Sequence, residues 1–454
     1  MPSRTFGTIV SGSPRPSLHG PRPQAESGRP KSRHGRPVSS AGFSSAASAP
    51  GSPMSSPTKQ QGEVTTLLRD FFGPTRPRMD FTVDTAEVLM NPPEVGAKIQ
   101  TQEVQMYRLS GDGKKTVVSA QNARVLFDSE MYICAHSYNN AVGKGTVELY
   151  FWIGDEVPAA TAQDAHIFAQ KEAKAIGGRL LKLYQGKEST EFMQALGGVI
   201  IVRRGSSDRF DSLAPHMLCG RRYLGQVAFD EVDMATGSLC AGFAFLISAS
   251  GQCCLWKGKG SDVDELSAAR LVGMELTLSG ELLEVEEGRE PASFWDLFEE
   301  GQSKPHSADH WRLKPNYGKY GTRLFCSDAD ARRQITEIAP FSQTDLSPLK
   351  IYILDAFFEM YIVVGSGAQS QYSSFRNALD FAQEYAILSS SMEDRPFVPV
   401  STIVLEGIPR DLKRVFRKWE DAHSPTVTNT YSGLKRGRSL RVVPLSQALL
   451  ALSE

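Results

Sequence analysis

Two pairs of adjacent arginines are the residues in this sequence whose type and spacing suit anion binding. Arg203 and Arg204 form the first pair, and Arg221 and Arg222 form the second. A guanidinium group can donate two parallel hydrogen bonds to one phosphate, so paired arginines favour contact with phosphate groups or with an acidic surface. The alternative is that both pairs are solvated strand edges, since surface arginines are common.

Catalytic motifs are missing from the sequence. It contains no GxxxxGKS/T, HExxH or GxSxG motif and no GxGxxG in a strand-to-helix context. The eight histidines are dispersed, and His166 fits the surface of a predicted helix. The six cysteines show no CxxC spacing, which argues against zinc and for reduced thiols. We therefore predict a protein that is not an enzyme and requires no cofactor.

The composition is that of a folded protein with several domains. The 454 residues exceed one ordinary core, and the hydrophobic fraction of 41% and charged fraction of 22% are those of globular chains. A net charge of -1 gives no overall attraction to nucleic acid or to anionic membranes. No signal peptide is recognisable, and no apolar run approaches the ~20 residues of a membrane span. We expect a cytoplasmic monomer without a transmembrane segment.

The N-terminal part of the chain differs from the rest. Residues 1–64 are rich in Ser, Pro, Gly and Arg, a composition that buries too little apolar surface to offset chain entropy and predicts a disordered tail. Residues 65–94 begin with two apolar pairs in TTLLRDFF at 65–72. This segment is predicted to dock, either on the chain's own domains or on a partner.

Three segments of the sequence share one layout. In each, an apolar strand ends in a glycine, and these residues, Gly154, Gly258 and Gly365, recur roughly a hundred positions apart. A helical stretch, a second strand, a glycine-containing turn and a short aromatic-anchored helix follow in the same order. A period of this size is typical of a small domain rather than of a solenoid repeat.

The repeated layout predicts an α/β fold of the α+β type. A sheet that is apolar on its faces must cover them with helices, so each unit is expected to be a mixed β-sheet between a long and a short helix. The predicted boundaries are 95–205, 206–302 and 303–425 for the three repeats. Residues 426–454 are predicted to be a C-terminal tail with a short helix.

The three segments resemble the repeats of the gelsolin, villin and severin family. The matching motifs are YFWIG at 150–154, YQGKE at 184–188, WKG at 256–258 and EGREP at 287–291. This ordered set covers roughly residues 95–425. The resemblance implies three tandem gelsolin-like domains and an activity on actin filaments, by severing, capping or side binding. It also implies a place at the actin cytoskeleton and regulation by calcium and phosphoinositides.

The resemblance implies that actin binds an exposed apolar residue near the middle of the first long helix. That place falls on Ile167, with Phe168 beside it and Lys171 one turn further on. Adjacent helix positions lie about 100° apart, so the two apolar side chains cannot both face the sheet. We expect Ile167 to point outward, and the opposite assignment stays open. By the same resemblance, the two arginine pairs contact phosphoinositides or the side of the filament.

The family's calcium site needs an acidic residue before the central strand, a neighbouring backbone carbonyl and a Glu early in the long helix. The positions that match these ligands are Glu130 in the first repeat and Gly242 and Glu265 in the second. At the other positions the carboxylate is replaced, by Thr161, Phe243, Lys350 and Tyr372. No copy keeps a complete ligand set, so the sequence predicts action that is largely independent of calcium.

These observations together predict a regulator that binds actin filaments. The alternative left open is a protein that kept the repeat fold but no longer binds actin, and serves as an adaptor or coat scaffold, since a fold does not determine function. Nucleic-acid binding is not expected, because the basic tail lacks interleaved aromatic residues.

Overall fold

Helical segments at both ends of the described residues flank three β-rich repeats in the computed structural model. The structure describes residues 57–453 except 75, 78–80, 93–97, 141, 224, 250, 278–279, 304–320, 394, 396 and 427–439. The predicted tail up to residue 56 therefore lies outside the described residues, as do 304–320 of the third predicted repeat and 427–439 of the C-terminal tail. Within the described part of the chain, no helix is long and apolar enough to cross a membrane.

Two helices precede the first repeat, α1 at Pro57–Phe72 and α2 at Thr85–Met90. The start of α1 corrects the predicted end of the disordered tail at residue 64, because the helix already begins at Pro57. The physical reason is an apolar stripe at a spacing of four residues, formed by Val64, Leu68 and Phe72. All three side chains are buried, which stabilises a helix that would be marginal in isolation.

The first repeat contains seven strands and two helices. Its strands are β1 Gln100–Leu109, β2 Lys115–Val117, β3 Val125–Phe127, β4 Met131–Asn139, β5 Gly145–Ile153, β6 Arg179–Tyr184 and β7 Val199–Arg203. The long helix between β5 and β6 is α3, Ala159–Ala175, and the short helix between β6 and β7 is α4, Thr190–Ala195. Ser189 begins α4 by accepting a hydrogen bond from the Phe192 N–H at 3.2 Å.

The second and third repeats follow the same order of elements. The second has strands β8 His216–Tyr223, β9 Gln226–Val232, β10 Ala244–Ala249, β11 Gln252–Lys257 and β12 Leu282–Glu286, with helices α5 Val263–Leu276 and α6 Ala292–Trp295. The third has strands β13 Arg323–Ser327, β14 Ile335–Ile338, β15 Ile351–Asp355, β16 Glu359–Val364 and β17 Val400–Glu406, with helices α7 Tyr372–Met392 and α8 Arg410–Val415. The described chain closes with strand β18 Arg441–Pro444 and helix α9 Leu445–Ala451.

The strands form three mixed sheets, which confirms the predicted α+β fold. Their orders are β2-β1-β4-β5-β6, β12-β11-β10-β8-β9-β7-β3 and β14-β13-β15-β16-β17-β18. In each repeat the strand before the long helix pairs in parallel with the strand after it, as β5 does with β6. The long helix is thus the crossover that two parallel neighbours require.

Strand β7 crosses from the first repeat into the second sheet, although the sequence places it in the first unit. It pairs in parallel with β9, and β3 adds to its other side. The reason is that β7 is buried on both faces. Ile200 and Val202 pack in the core of the first repeat, whereas Val199 and Ile201 pack in the core of the second. The second sheet therefore contains strands from both of the first two repeats.

The repeated glycines are explained by a close approach of two backbone segments. A Cβ atom on Gly154 would overlap the carbonyl oxygen of Asp128, and one on Gly365 would overlap that of Pro348. At Gly258 it would lie 2.6 Å from the carbonyl oxygen of Ala241. Each glycine follows the strand that precedes the long helix, so the three repeats use the same turn at the same place.

The N-terminal segment docks on the third repeat, which decides between the two alternatives left open for residues 65–94. The ring of Phe72 stacks on Phe375 of α7 with centroids 4.5 Å apart. Leu68 of α1 and Ala448 of α9 belong to the same buried cluster. The Thr85 hydroxyl donates to Glu384 of α7 at 2.6 Å. Helices α1, α2 and α9 together cover the outer side of α7.

Candidate functional sites

Helix α3 lies close to its sheet because its inner face consists of alanines. Four of these, Ala162, Ala165, Ala169 and Ala173, are buried. Their spacing of three and four residues places them on one side of the helix. The helix ends where Gly177 adopts a left-handed conformation with φ 67°, a common way to satisfy the last carbonyls of a helix. The opposite face of α3 is free of contacts with the sheet.

Ile167 lies on the outward face of α3, near the middle of the helix. Its side chain is 52% exposed. Phe168 instead packs on the flank of the helix, where it lies against the β1–β2 turn and leaves no room for a Cβ atom at Gly113. The Lys171 ammonium group lies 5.3 Å from the centroid of the Phe168 ring. An apolar side chain surrounded by polar helix positions is suited to insert into an apolar cleft on a partner.

Helix α5 of the second repeat presents a similar outward face, which the sequence reasoning did not identify. Leu271 occupies the same position in α5, counted from the first residue, that Ile167 occupies in α3. It is 51% exposed, and Met274, one turn further on, is 50% exposed. Aligning the two helices by their first residues would have revealed this pair. In the third repeat, α1, α2 and α9 pack on α7, and the exposed apolar side chains of α7, Ile387 and Met392, lie in its last two turns rather than near its middle.

Two of the four predicted phosphate-binding arginines are buried, which corrects the expectation of an exposed basic strip. Arg203 is only 3% exposed, and its guanidinium lies 4.9 Å from the centroid of the Phe210 ring. Arg221 donates from Nη1 to the backbone carbonyls of Arg414 and Phe416, both at 3.0 Å. The physical reason is that both residues lie on central strands of the second sheet. Arg221 thereby connects the second repeat to the third.

The other arginine of each pair lies nearer the surface and next to carboxylates. Arg204 forms an ion pair with Asp233 at 2.5 Å. Arg222 lies 3.9 Å from Asp262 and 3.7 Å from Asp264. These exposed pairs contribute little to stability and can exchange partners readily. Arg204 and Arg222 are therefore the members of the two pairs that an anionic ligand can reach.

A cleft of about 760 Å³ lies where the three repeats meet. Its basic lining residues are Arg203, Arg204, Arg221, Arg410, Lys413, Arg414, Arg417 and Lys418. Acidic residues such as Asp230 and Glu231 line the same cleft, so the local charge is mixed. Because most of these groups are paired, the cleft is a charged junction between repeats rather than an open basic surface.

Glu130, a predicted calcium ligand, already has both carboxylate oxygens engaged. Its Oε1 accepts hydrogen bonds from Arg108 Nη1 at 3.0 Å, from Ser206 Oγ at 2.8 Å and from the N–H and hydroxyl of Ser207 at 2.9 and 2.7 Å. Its Oε2 accepts from the Tyr132 hydroxyl at 2.5 Å. Burial by itself would raise the pKa of Glu130, but these hydrogen bonds outweigh burial and lower the pKa.

Glu265 is likewise engaged by the backbone. It is fully buried, and its two oxygens accept the N–H groups of Arg222 at 2.8 Å and Asp262 at 3.0 Å. Together with the Asp262 side chain it forms a capping box at the start of α5. Gly242 lies in the turn just before β10.

The predicted calcium positions do not fit a calcium ion, which needs six to eight oxygen ligands. The carboxylate oxygens of Glu130 and Glu265 accept N–H and O–H donors, and the cationic Arg108 already neutralises Glu130. Over the part of the chain that the structure describes, no group of three or more His, Cys, Asp and Glu side chains could hold a metal ion. The hydrogen bonds give both carboxylates a structural role.

Comparison with known proteins gives matches over the repeats. A family model described as a domain of unknown function, DUF7904, matches residues 105–204, which run from β1 to just past β7. Advillin of Mus musculus is 28% identical over 321 residues, covering 68% of this chain and 38% of that protein. Gelsolin of Gallus gallus is 27% identical over 332 residues, covering 70% of this chain and 41% of that protein.

The chain thus spans about two fifths of the length of the curated relatives it matches. Among solved structures, the crystal structure of the Thorarchaeota 2DGel3/rabbit actin complex matches with 18% identity and a TM-score of 0.18. That match covers 43% of this chain and 100% of the other.

Proposed function

We propose that this chain, which is similar to advillin and gelsolin and carries motifs that resemble those of the gelsolin and villin family, binds actin and regulates actin filaments in the cytoplasm. The observation that carries this proposal is the exposed Ile167 in the middle of α3. It occupies the place that the family resemblance implies for the residue that enters actin. The proposal assigns Lys171 and the flank of Phe168 to the rim of the same contact.

The proposed contact is hydrophobic at its centre and polar at its edge. Burying the exposed part of Ile167 in an apolar cleft on actin would release ordered water and stabilise the complex. The similar face on α5, with Leu271 and Met274, would give the second repeat its own contact with a filament. Two faces on one chain favour capping or side binding, and severing follows if docking strains the filament.

Regulation is proposed to depend on anionic lipids rather than on calcium. Arg204 and Arg222 are the members of the two arginine pairs that a phosphoinositide headgroup can reach, because their carboxylate partners are exposed and exchangeable. The engaged oxygens of Glu130 and Glu265 support action without calcium.

Cosedimentation with filamentous actin tests the proposal. The full chain is mixed with filaments in the presence of calcium or of a calcium chelator and then pelleted, and filament length is followed by fluorescence microscopy. We expect pelleting and shorter or capped filaments in both conditions. Vesicles that contain phosphatidylinositol bisphosphate should weaken pelleting, whereas neutral vesicles should not. Failure to pellet in either condition would reject the proposal and favour the adaptor or scaffold alternative.

A further inference from the structure

Residues 413–421 of the third repeat, here called the latch segment, contact both other repeats. The segment begins inside α8 and continues into the loop that follows it. Its backbone is attached to the second repeat, because Arg221 donates to the carbonyls of Arg414 and Phe416. Its side chains reach further, to carboxylates of the first repeat.

Arg417 is the centre of these contacts. Its Nε and Nη2 donate to the two oxygens of Asp230 on β9 at 3.0 and 2.7 Å, a bidentate ion pair with the second repeat. Its Nη1 donates to Glu188 Oε2 of the first repeat at 2.8 Å. The side chains of Arg417, Asp230 and Glu188 are 10%, 14% and 0% exposed. One guanidinium group therefore joins all three repeats in a site that is largely shielded from water.

Glu188 is the last residue of the YQGKE motif, and it has two roles, one within its own repeat and one between repeats. Its Oε1 accepts the Trp152 indole N–H at 3.0 Å and the Gly186 N–H at 3.1 Å. In the second repeat, Glu290 accepts the equivalent bonds from Trp256 and Gly288 at 2.9 and 3.0 Å. Holding the turn is thus common to both repeats. The bond from Glu188 Oε2 to Arg417 is an addition that connects repeats.

Further ion pairs surround Arg417. Lys418 lies 3.4 Å from Asp155 and 3.8 Å from Glu156, which come directly before α3. Lys187, next to Glu188, pairs with Asp345 of the third repeat at 2.5 Å. These contacts hold both ends of the β5–α3–β6 crossover against the third repeat. They therefore fix the orientation of α3 relative to the third repeat.

We propose that the latch segment, centred on Arg417, is an ionic latch that holds the third repeat against the first two in a closed arrangement and must break before the third repeat can move away from them. The first two repeats stay joined, because β7 and β3 pair within the second sheet. Removal of one partner leaves a buried carboxylate without its counter-charge, which strongly disfavours the closed arrangement. Rigid-body displacement of a repeat, with its internal fold preserved, is the expected response. The proposal concerns contacts within the chain and does not depend on actin binding.

Small-angle X-ray scattering of the full chain tests the latch. Arg417→Ala is compared with Arg410→Ala, which removes the same charge from the same cleft at an exposed residue that makes no ion pair within the described part of the chain. We expect Arg417→Ala to increase the radius of gyration by roughly 2–4 Å for displacement of one repeat. Trypsin cleavage within the latch segment, at Lys413 and Arg414, which both variants keep, should become at least about tenfold faster than in Arg410→Ala, because the segment loses its contacts with the first two repeats.

Two further measurements make the result decisive. Asp230→Asn keeps the shape of the side chain but removes its charge. The double variant Asp230→Asn with Arg417→Ala should be cleaved no faster than Arg417→Ala alone. The reason is that both substitutions break the same contact. Circular dichroism checks that the repeats remain folded. If Arg417→Ala does not fold, Asp230→Asn alone is used as the variant that breaks the contact. An unchanged radius and cleavage rate in the folded variant, or additive effects of the two changes, would overturn the proposal.

Discussion

Replacement of Ile167 by aspartate is the most direct test of the docking face on α3. Complete burial of an isoleucine side chain is worth about 1.5–3 kcal/mol. The side chain is 52% exposed in the free protein, so docking can recover roughly half of that amount, about 0.8–1.5 kcal/mol. Ile167→Ala should therefore weaken actin binding by up to about tenfold. Ile167→Asp also places a charge in an apolar cleft, and we expect a loss of at least ~100-fold.

The assay is a binding isotherm from cosedimentation with filamentous actin for the wild type and both variants. Leu349→Asp is the matched control, because Leu349 is 62% exposed and belongs to the third repeat rather than to α3. Circular dichroism and the melting temperature should be unchanged in all variants, since an exposed substitution leaves the core intact. If Ile167→Asp binds as well as Leu349→Asp does, the assignment of the actin contact to the outward face of α3 is refuted.

Two further predictions concern stability. Gly154→Ala should destabilise the first repeat by roughly 1–3 kcal/mol, because its Cβ would overlap the carbonyl of Asp128. Urea denaturation checks this against Gly145→Ala, which has space for the Cβ, and equal losses would contradict it. His216 is buried, and burial, followed by the nearby Arg203, lowers its pKa from 6.5 to about 4. Between these pH values only the unfolded chain takes up the proton of His216, so this residue should lower the free energy of unfolding by up to ~1.4 kcal/mol for each unit that the pH falls. Burial also lowers the pKa of His136, so His216→Gln should make the slope shallower when urea midpoints are compared at pH 7 and pH 5, and an unchanged slope would contradict the prediction.

The order of elements in each repeat could be predicted because it depends on local patterns. The long helices show a periodicity that is recognisable within one or two turns of sequence, and each strand before them ends in a glycine such as Gly154. The mid-helix position of Ile167 follows from counting along α3, and its exposure follows from the alanine face opposite to it. These features are set by neighbours in the chain.

The arginine pairs show why charge in a sequence does not predict exposure. Arg203 and Arg204 are adjacent in the chain, yet Arg203 is the last residue of the fully buried strand β7, whereas Arg204 follows the strand and is exposed. The partners of Arg221 lie nearly two hundred residues further on, in the third repeat. Glu130 shows the same limit, because its donors Arg108 and Ser207 come from separate segments.

The sequence by itself therefore determined the three repeats, their α+β class, their glycine turns and the candidate contact on α3. Only the tertiary structure decided that β7 joins the second sheet, that α1 covers α7, and that Arg417 connects all three repeats. Hydrophobic periodicity reports which side of an element is buried, but it does not report which distant segment buries it. Contacts between segments far apart in the chain depend on how the folded repeats meet, and no local pattern encodes that geometry.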